Sequence, residues 1–177
     1  QVLDINPSYK MFHSLVTHQP YILDEQCTII GIPALTSLSD RAVKQAHCGL
    51  QNVLSLILQL KELDIYDNTI IVISSDHGSV DVLPFENNVS KSRNIPNEHI
   101  SYGLTTLLVK PLKSRGSMLS SSVPASLSDI PNTILSLSGQ KLITKGLNIF
   151  DIPKDFQRKR QYFFDERVTE YSGNDFF

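Results

Sequence analysis

The spacing of apolar positions changes several times along this chain, and each change predicts an element. Val43, Ala46, Leu50, Val53, Ile57 and Leu60 recur at helical spacing, predicting a long helix with one face packed on a sheet. Ser37 or Ser39 can cap its start, and it should run to about Leu63. Asp67-Asn68 then turns the chain into residues 69–73, an almost unbroken β-branched apolar run that reads as a buried strand. Upstream, residues 11–17 predict another strand, ending at His18 and closed by Pro20. Strand, helix and strand would form a β-α-β unit whose two strands are parallel and largely buried.

Further along, residues 104–109 predict an apolar strand stopped by Pro111. A second helix follows, capped by Ser126 or Ser128, with Pro131 tolerated in its first turn and Gly139 ending it. Residues 81–98 and 114–122 are polar and read as loops; the first is long enough to suggest a functional segment. From Phe156 onward the character changes. Seven of the fourteen aromatics fall in this stretch, beside the basic run Arg158-Lys159-Arg160. A small terminal hairpin packing its aromatics on the main sheet is the simplest expectation; a docking or substrate-edge segment is the other. The chain contains no internal repeat.

The most informative chemistry lies where the strand of residues 69–73 ends, at Ser74-Ser75-Asp76-His77-Gly78. Sites in α/β folds lie beyond the carboxyl ends of strands. A carboxylate and an imidazole side by side there can converge on one divalent cation. Gly78 would permit a sharp exit that leaves both side chains in one pocket. An Asp merely accepting a hydrogen bond from its neighbour is the plainer alternative.

The run DNTIIVISSDHG, residues 67–78, resembles the second metal-ligand segment of the sulfatase branch of the alkaline phosphatase superfamily. Three other passages resemble the same family in the same order: THQPY at 17–21, SLSDIPNTILSLSG at 126–139 and KGLNIFD at 145–151. The resemblance covers roughly residues 10–151. It implies a three-layer α/β/α sandwich of the alkaline phosphatase-like type, present as its incomplete carboxy-terminal half. Residues 1–151 would be that part of the catalytic domain, and 152–177 an aromatic-rich segment packed on it. The nucleophile and the first metal carboxylates would come from a missing amino-terminal half.

The same resemblance assigns roles. Asp76 and His77 would hold one divalent metal ion, whether Ca, Mn, Mg or Zn. His18, presented by the strand end and by Pro20, would contact the anionic ester or protonate its leaving group. Lys91 and His99, with Arg93 nearby, occupy the interval where relatives place a cation that reaches back to the substrate. His13 and His47 receive no role: the first should face away from His18 along its strand, and the second sits within the helix. The implied activity is metal-dependent hydrolysis of a sulfate or phosphate ester, the substrate being a sulfated or phosphorylated glycan, lipid or small molecule. The alternatives are a phosphoglycerol or phosphoethanolamine transferase, as in membrane-anchored relatives with an extracytoplasmic catalytic domain and a similar THxPY segment, and a non-catalytic relative.

Composition narrows these options a little. At 177 residues with 41% hydrophobic and 19% charged positions, the chain can bury a core and is not of disordered composition. A net charge of −2 gives no electrostatic case for nucleic acid. No apolar stretch is long enough to span a membrane. Cys27 and Cys48 are too few for a disulfide scaffold, and Cys48 reads as a small buried hydrophobe rather than a reactive thiol. Phosphate-loop, dinucleotide-binding, nucleophile-elbow and CxxC motifs are all absent.

Overall fold

In a computed structural model, residues 7–31, 36–79, 101–141, 145–164 and 167–172 are described. The protein is of mixed α/β class and forms two compact units, Gln1–Ser55 and Leu56–Phe177. Helix α1, Leu38–Glu62, begins in the first unit and ends in the second. Among the described residues no helix is long and apolar enough to cross a membrane.

In the first unit, α1 starts where the sequence predicts. The hydroxyl of Ser37 accepts from the Asp40 N–H at 3.0 Å, meeting one of the amides a helix start leaves unpaired. The buried face, however, is not the expected apolar stripe. Val43 and Leu50 are exposed, while Ala42, Gln45 and Cys48 are buried. Residues 11–17 do not form a strand; they are irregular, with Met11, Phe12 and Leu15 exposed. Apolar character without regular alternation does not define a pleated face, and no strand pairs with this segment among the described residues. His13 therefore lies on no strand face, and His47 is exposed on α1.

The extended pairing of this unit lies later, in a short antiparallel bridge between Leu23 and Ile29. The turn joining them is built by Asp24, whose Oδ1 accepts from Gln26 N at 3.0 Å and Thr28 N at 2.8 Å. Cys27, inside that turn at φ 63°, is disulfide-bonded to Cys48 of α1. Cys48 is thus buried as expected, but as a cross-link, which corrects its reading as a simple hydrophobe. Cysteines 21 apart can close such a loop only when turn and helix face each other, a tertiary fact that spacing does not carry.

In the second unit, β1 (Ile71–Ser74) pairs with β2 (Leu107–Lys110) in antiparallel register, Ile71 opposite Lys110 and Ser74 opposite Leu107. The parallel arrangement expected for β1 is therefore replaced by an antiparallel pair, and the strands are half-buried. Lys110 ties the start of β1 down. Its ammonium donates to the carbonyls of Tyr66, Thr69 and Pro111 at 2.8–3.0 Å and lies 4.4 Å from the centre of the Tyr66 ring. Burial pushes the Lys110 pKa down, a shift that Asp67 opposes and Arg115 reinforces. Asp67 also pairs with Arg115.

The late part of this unit is organised by a buried carboxylate. Ser126 opens a capping box on the turn Leu127–Asp129, and α2 (Ile130–Leu137) follows with Pro131 in its first turn. Asp129 is 0% exposed. Its Oδ2 accepts from Ser126 N and Arg158 Nη2, both at 2.8 Å, and its Oδ1 accepts from Leu147 N at 2.9 Å. Thr133 extends the network, donating to the Asp129 carbonyl at 2.8 Å and accepting from Ile149 N at 3.1 Å. Residues 159–172 include a hairpin, as the sequence predicts, of β3 (Lys159–Phe164) against β4 (Arg167–Ser172).

Removing one partner of a buried, fully bonded charge is costly. Asp129→Asn should lower stability by roughly 3–5 kcal/mol, whereas Asp155→Asn, at an exposed position, should change it by less than about 0.5 kcal/mol; chemical denaturation of the two variants checks both. Cys27→Ser should cost the first unit about 3 kcal/mol through the lost loop constraint, read as a lower denaturation midpoint that matches the reduced wild-type protein.

Candidate functional site

The segment leaving β1 is held by the segment entering β2. Ser75 N donates to the Thr106 carbonyl at 3.1 Å, and Thr106 N donates to the Ser75 hydroxyl at 2.9 Å, prolonging the pairing past the last ladder residue. Three residues on, Gly78 N donates to the Tyr102 carbonyl at 2.9 Å. A Cβ at position 78 would fall inside the carbonyl oxygen of Ser101 and close to that of Leu104. The glycine is therefore required by close backbone approach rather than by the turn freedom the sequence suggests.

Asp76 and His77 stand between these two anchors. The Asp76 Oδ1 accepts from the His77 backbone N–H at 3.0 Å, which orients the carboxylate. The His77 Nδ1 lies 2.6 Å from the Gly78 carbonyl oxygen. A carbonyl only accepts, so Nδ1 carries the proton and, in the neutral ring, Nε2 carries the lone pair. The Nε2 lies 3.7 Å from Asp76 Oδ2. Tyr102 covers one side of the ring, with centroids 5.4 Å apart. Both side chains remain open to solvent, His77 at 52% and Asp76 at 82% exposure.

These residues fit a divalent cation. Metal-binding histidines commonly donate their other ring N–H to a backbone carbonyl, which fixes the tautomer and the ring orientation. Two bonds of about 2.1 Å each can span the gap between Oδ2 and Nε2. Among the described residues no group of three or more His, Cys, Asp or Glu side chains gathers on one point, so the pair offers two donors and no third.

His18 belongs to the other unit. It follows a turn in which its N–H donates to the Leu15 carbonyl at 2.9 Å, and the Gln19–Pro20 peptide after it is cis. Its ring Nδ1 lies 2.7 Å from the Gln19 carbonyl oxygen, so this imidazole too is fixed through Nδ1 to the carbonyl of the next residue. It is not at a strand end, since residues 7–17 form no strand; a helix-borne amide, Gln45, holds its backbone instead. Lys91, Arg93 and His99 lie outside the described residues. Gln45, Tyr102 and the Cys27–Cys48 link have no counterpart in the sequence reading. The one signal for the first was a long polar side chain placed three residues from both Ala42 and Cys48.

Set against protein-family models, curated proteins and solved structures, the chain matches none of them. The fold and the site together define a mixed α/β protein with an acid–imidazole pair at a strand exit.

If the close approach at Gly78 is what holds the pair, Gly78→Ala must push residues 101–104 away. We expect it to abolish the His77–Tyr102 ring contact, seen as loss of the Tyr102 ring-current shift on His77, and to lower stability by about 1–3 kcal/mol.

Proposed function

We propose that the chain is part of a metal-dependent, sulfatase-like hydrolase of sulfate or phosphate esters, and that Asp76 and His77 are two ligands of its divalent cation. The observation that carries this reading is the His77 imidazole, pinned through Nδ1 to the Gly78 carbonyl with its Nε2 beside the Asp76 carboxylate. A bare Asp-His contact needs neither that tautomer nor a glycine locked into the neighbouring backbone.

The remaining ligands and the nucleophile lie elsewhere in the enzyme, because two ligands do not close a divalent site. The chemistry a bound ion would supply is Lewis-acid polarisation of the ester oxygens. Within this chain, Gly78 and the 101–106 backbone fix the pair, and the Gly78 carbonyl keeps the His77 lone pair on Nε2. His18, fixed in the same tautomer, accepts a proton at Nε2 when neutral and donates from it to an anionic oxygen when charged.

We further propose that β1 and β2 belong to the central sheet of a three-layer α/β/α sandwich of the alkaline phosphatase type. Ile71, Val72 and Ile73, with Leu107, Leu108 and Val109, place apolar side chains on both faces of the pair, and such strands need cover on both sides. Helix α1 likewise leaves Leu50, Leu54 and Leu58 exposed.

A phospho-group transferase is the second reading, favoured by the disulfide. A Cys27–Cys48 bond persists in oxidising surroundings outside the cytoplasm, where the membrane-anchored relatives with a THxPY segment would work.

In the complete enzyme, Asp76→Ala and His77→Ala should each reduce bound divalent metal at least tenfold, read by elemental analysis, and abolish turnover of aryl sulfate or phosphodiester substrates. His18→Ala should lower kcat by about 10²–10³ with metal content unchanged. Full activity in the Asp76→Ala, His77→Ala double variant would exclude the metal site and leave the non-catalytic reading.

A further inference from the structure

The His18 segment contains few regular backbone hydrogen bonds, yet one side chain bonds both of its limbs. Gln45 is 2% exposed. Its Nε2 donates to the His18 carbonyl at 2.8 Å, and its Oε1 accepts from Ile22 N at 2.9 Å and Leu23 N at 3.0 Å. One amide thus bridges the chain before and after Gln19-Pro20-Tyr21, using its donor on one side and its acceptor on the other. Glutamate, of the same length, lacks the donor at neutral pH, and leucine lacks both.

The surface that carries Gln45 is itself secured. One turn along α1, Cys48 is covalently joined to Cys27 in the turn that follows. At the next position, a Cβ on Gly49 would lie 3.0 Å from Thr17 Cγ2 and 3.1 Å from Val16 Cγ1. The residues immediately before His18 therefore rest directly on the helix backbone. Positions 45, 48 and 49 form one face, which holds the histidine segment by hydrogen bonds, by a covalent bond and by close approach.

We infer that Gln45 is a positioning residue for His18, setting the imidazole's place and tautomer from α1, with its consequence for turnover resting on the reading of His18 as the ester-facing histidine. A buried glutamine on a helix is expensive unless its bonds are needed, and all three of these bonds go to the loop that carries His18. The alternative is a glutamine that stabilises the loop without affecting the ring.

The test uses imidazole ¹⁵N spectra and amide exchange of the full chain, beside kinetics and metal content of the complete enzyme. In Gln45→Leu, exchange at Ile22 and Leu23 should quicken at least tenfold. At alkaline pH the His18 ring should move from the Nδ1–H pattern to the mixed pattern of an unconstrained imidazole, and kcat should fall tenfold or more with metal content unchanged. Gln45→Glu keeps the acceptor and loses the donor. It should leave Ile22 and Leu23 protected, since both bond the retained acceptor, while the His18 ring shifts toward the mixed pattern at alkaline pH because the bond to the His18 carbonyl is lost. An unaltered His18 tautomer in Gln45→Leu would overturn the inference. If that variant does not fold, an unaltered His18 tautomer in Gln45→Glu overturns it equally. A shifted tautomer in Gln45→Leu, together with undiminished turnover in His18→Ala, would keep Gln45 as the positioning residue and remove His18 from the ester chemistry.

Discussion

A backbone that leaves helix or sheet must still find partners for its N–H and C=O groups wherever water is excluded. In this chain buried and half-buried side chains supply many of them, and the rest of the structure depends on that supply. Gln45 serves the loop after His18, Lys110 collects three carbonyls at the entrance to β1, and Asp129 accepts from two backbone amides and one guanidinium. Each is a single residue meeting groups from segments far apart in sequence. Each is also a point where an apolar replacement would strand several polar atoms together rather than one. The buried positions reflect this: Gln45, Asp129, Asn132, Thr133 and Asn148 stand beside Tyr21, Ala42, Cys48 and Ile152.

Both candidate histidines are treated in the same way. His18 and His77 each place Nδ1 on the carbonyl oxygen of the following residue, at 2.7 and 2.6 Å. A one-residue reach of this kind works only when the local backbone bends the carbonyl back toward the ring. The two backbones are held by different means: a helix-borne amide for His18, and a glycine packed into the neighbouring carbonyls for His77. The shared outcome is an imidazole whose Nε2 carries the lone pair when the ring is neutral. Under the proposed function, that nitrogen would bind a cation at His77 and exchange a proton at His18.

What could be read from the sequence was whatever depends on nearest neighbours. The Ser37 cap, the length of α1, the β1 run, the Ser126 box with Pro131, and the terminal hairpin all follow from signals a few residues apart. The placement of Asp76-His77 just past β1 was legible because both residues follow the strand directly in sequence. Tertiary choices were not. Residues 11–17 have the composition of a strand, but pairing decides strands and composition does not. The buried face of α1 lies away from the Val43–Leu50 stripe because Gln45 satisfies buried backbone and Cys48 bonds Cys27. The direction of β1 depends on β2, more than thirty residues on, and the need for glycine at 78 arises from residues 101–104.

Rigid placement of a site can come from a tightly packed apolar core or from saturated polar contacts, and the two fail differently. Packing resists small displacements but tolerates exchange of one hydrophobe for another of equal volume. Saturated polar contacts fix direction as well as distance, and tolerate almost no exchange. Around His18 and around Asp76-His77 the second mode prevails, since the flanking apolar side chains, Leu15 in one case and Ile71 to Ile73 in the other, are exposed or only half-buried. A site that must present a particular nitrogen in a particular tautomer needs directional restraint above all. A polar clamp supplies that restraint locally, whatever covers the apolar faces nearby.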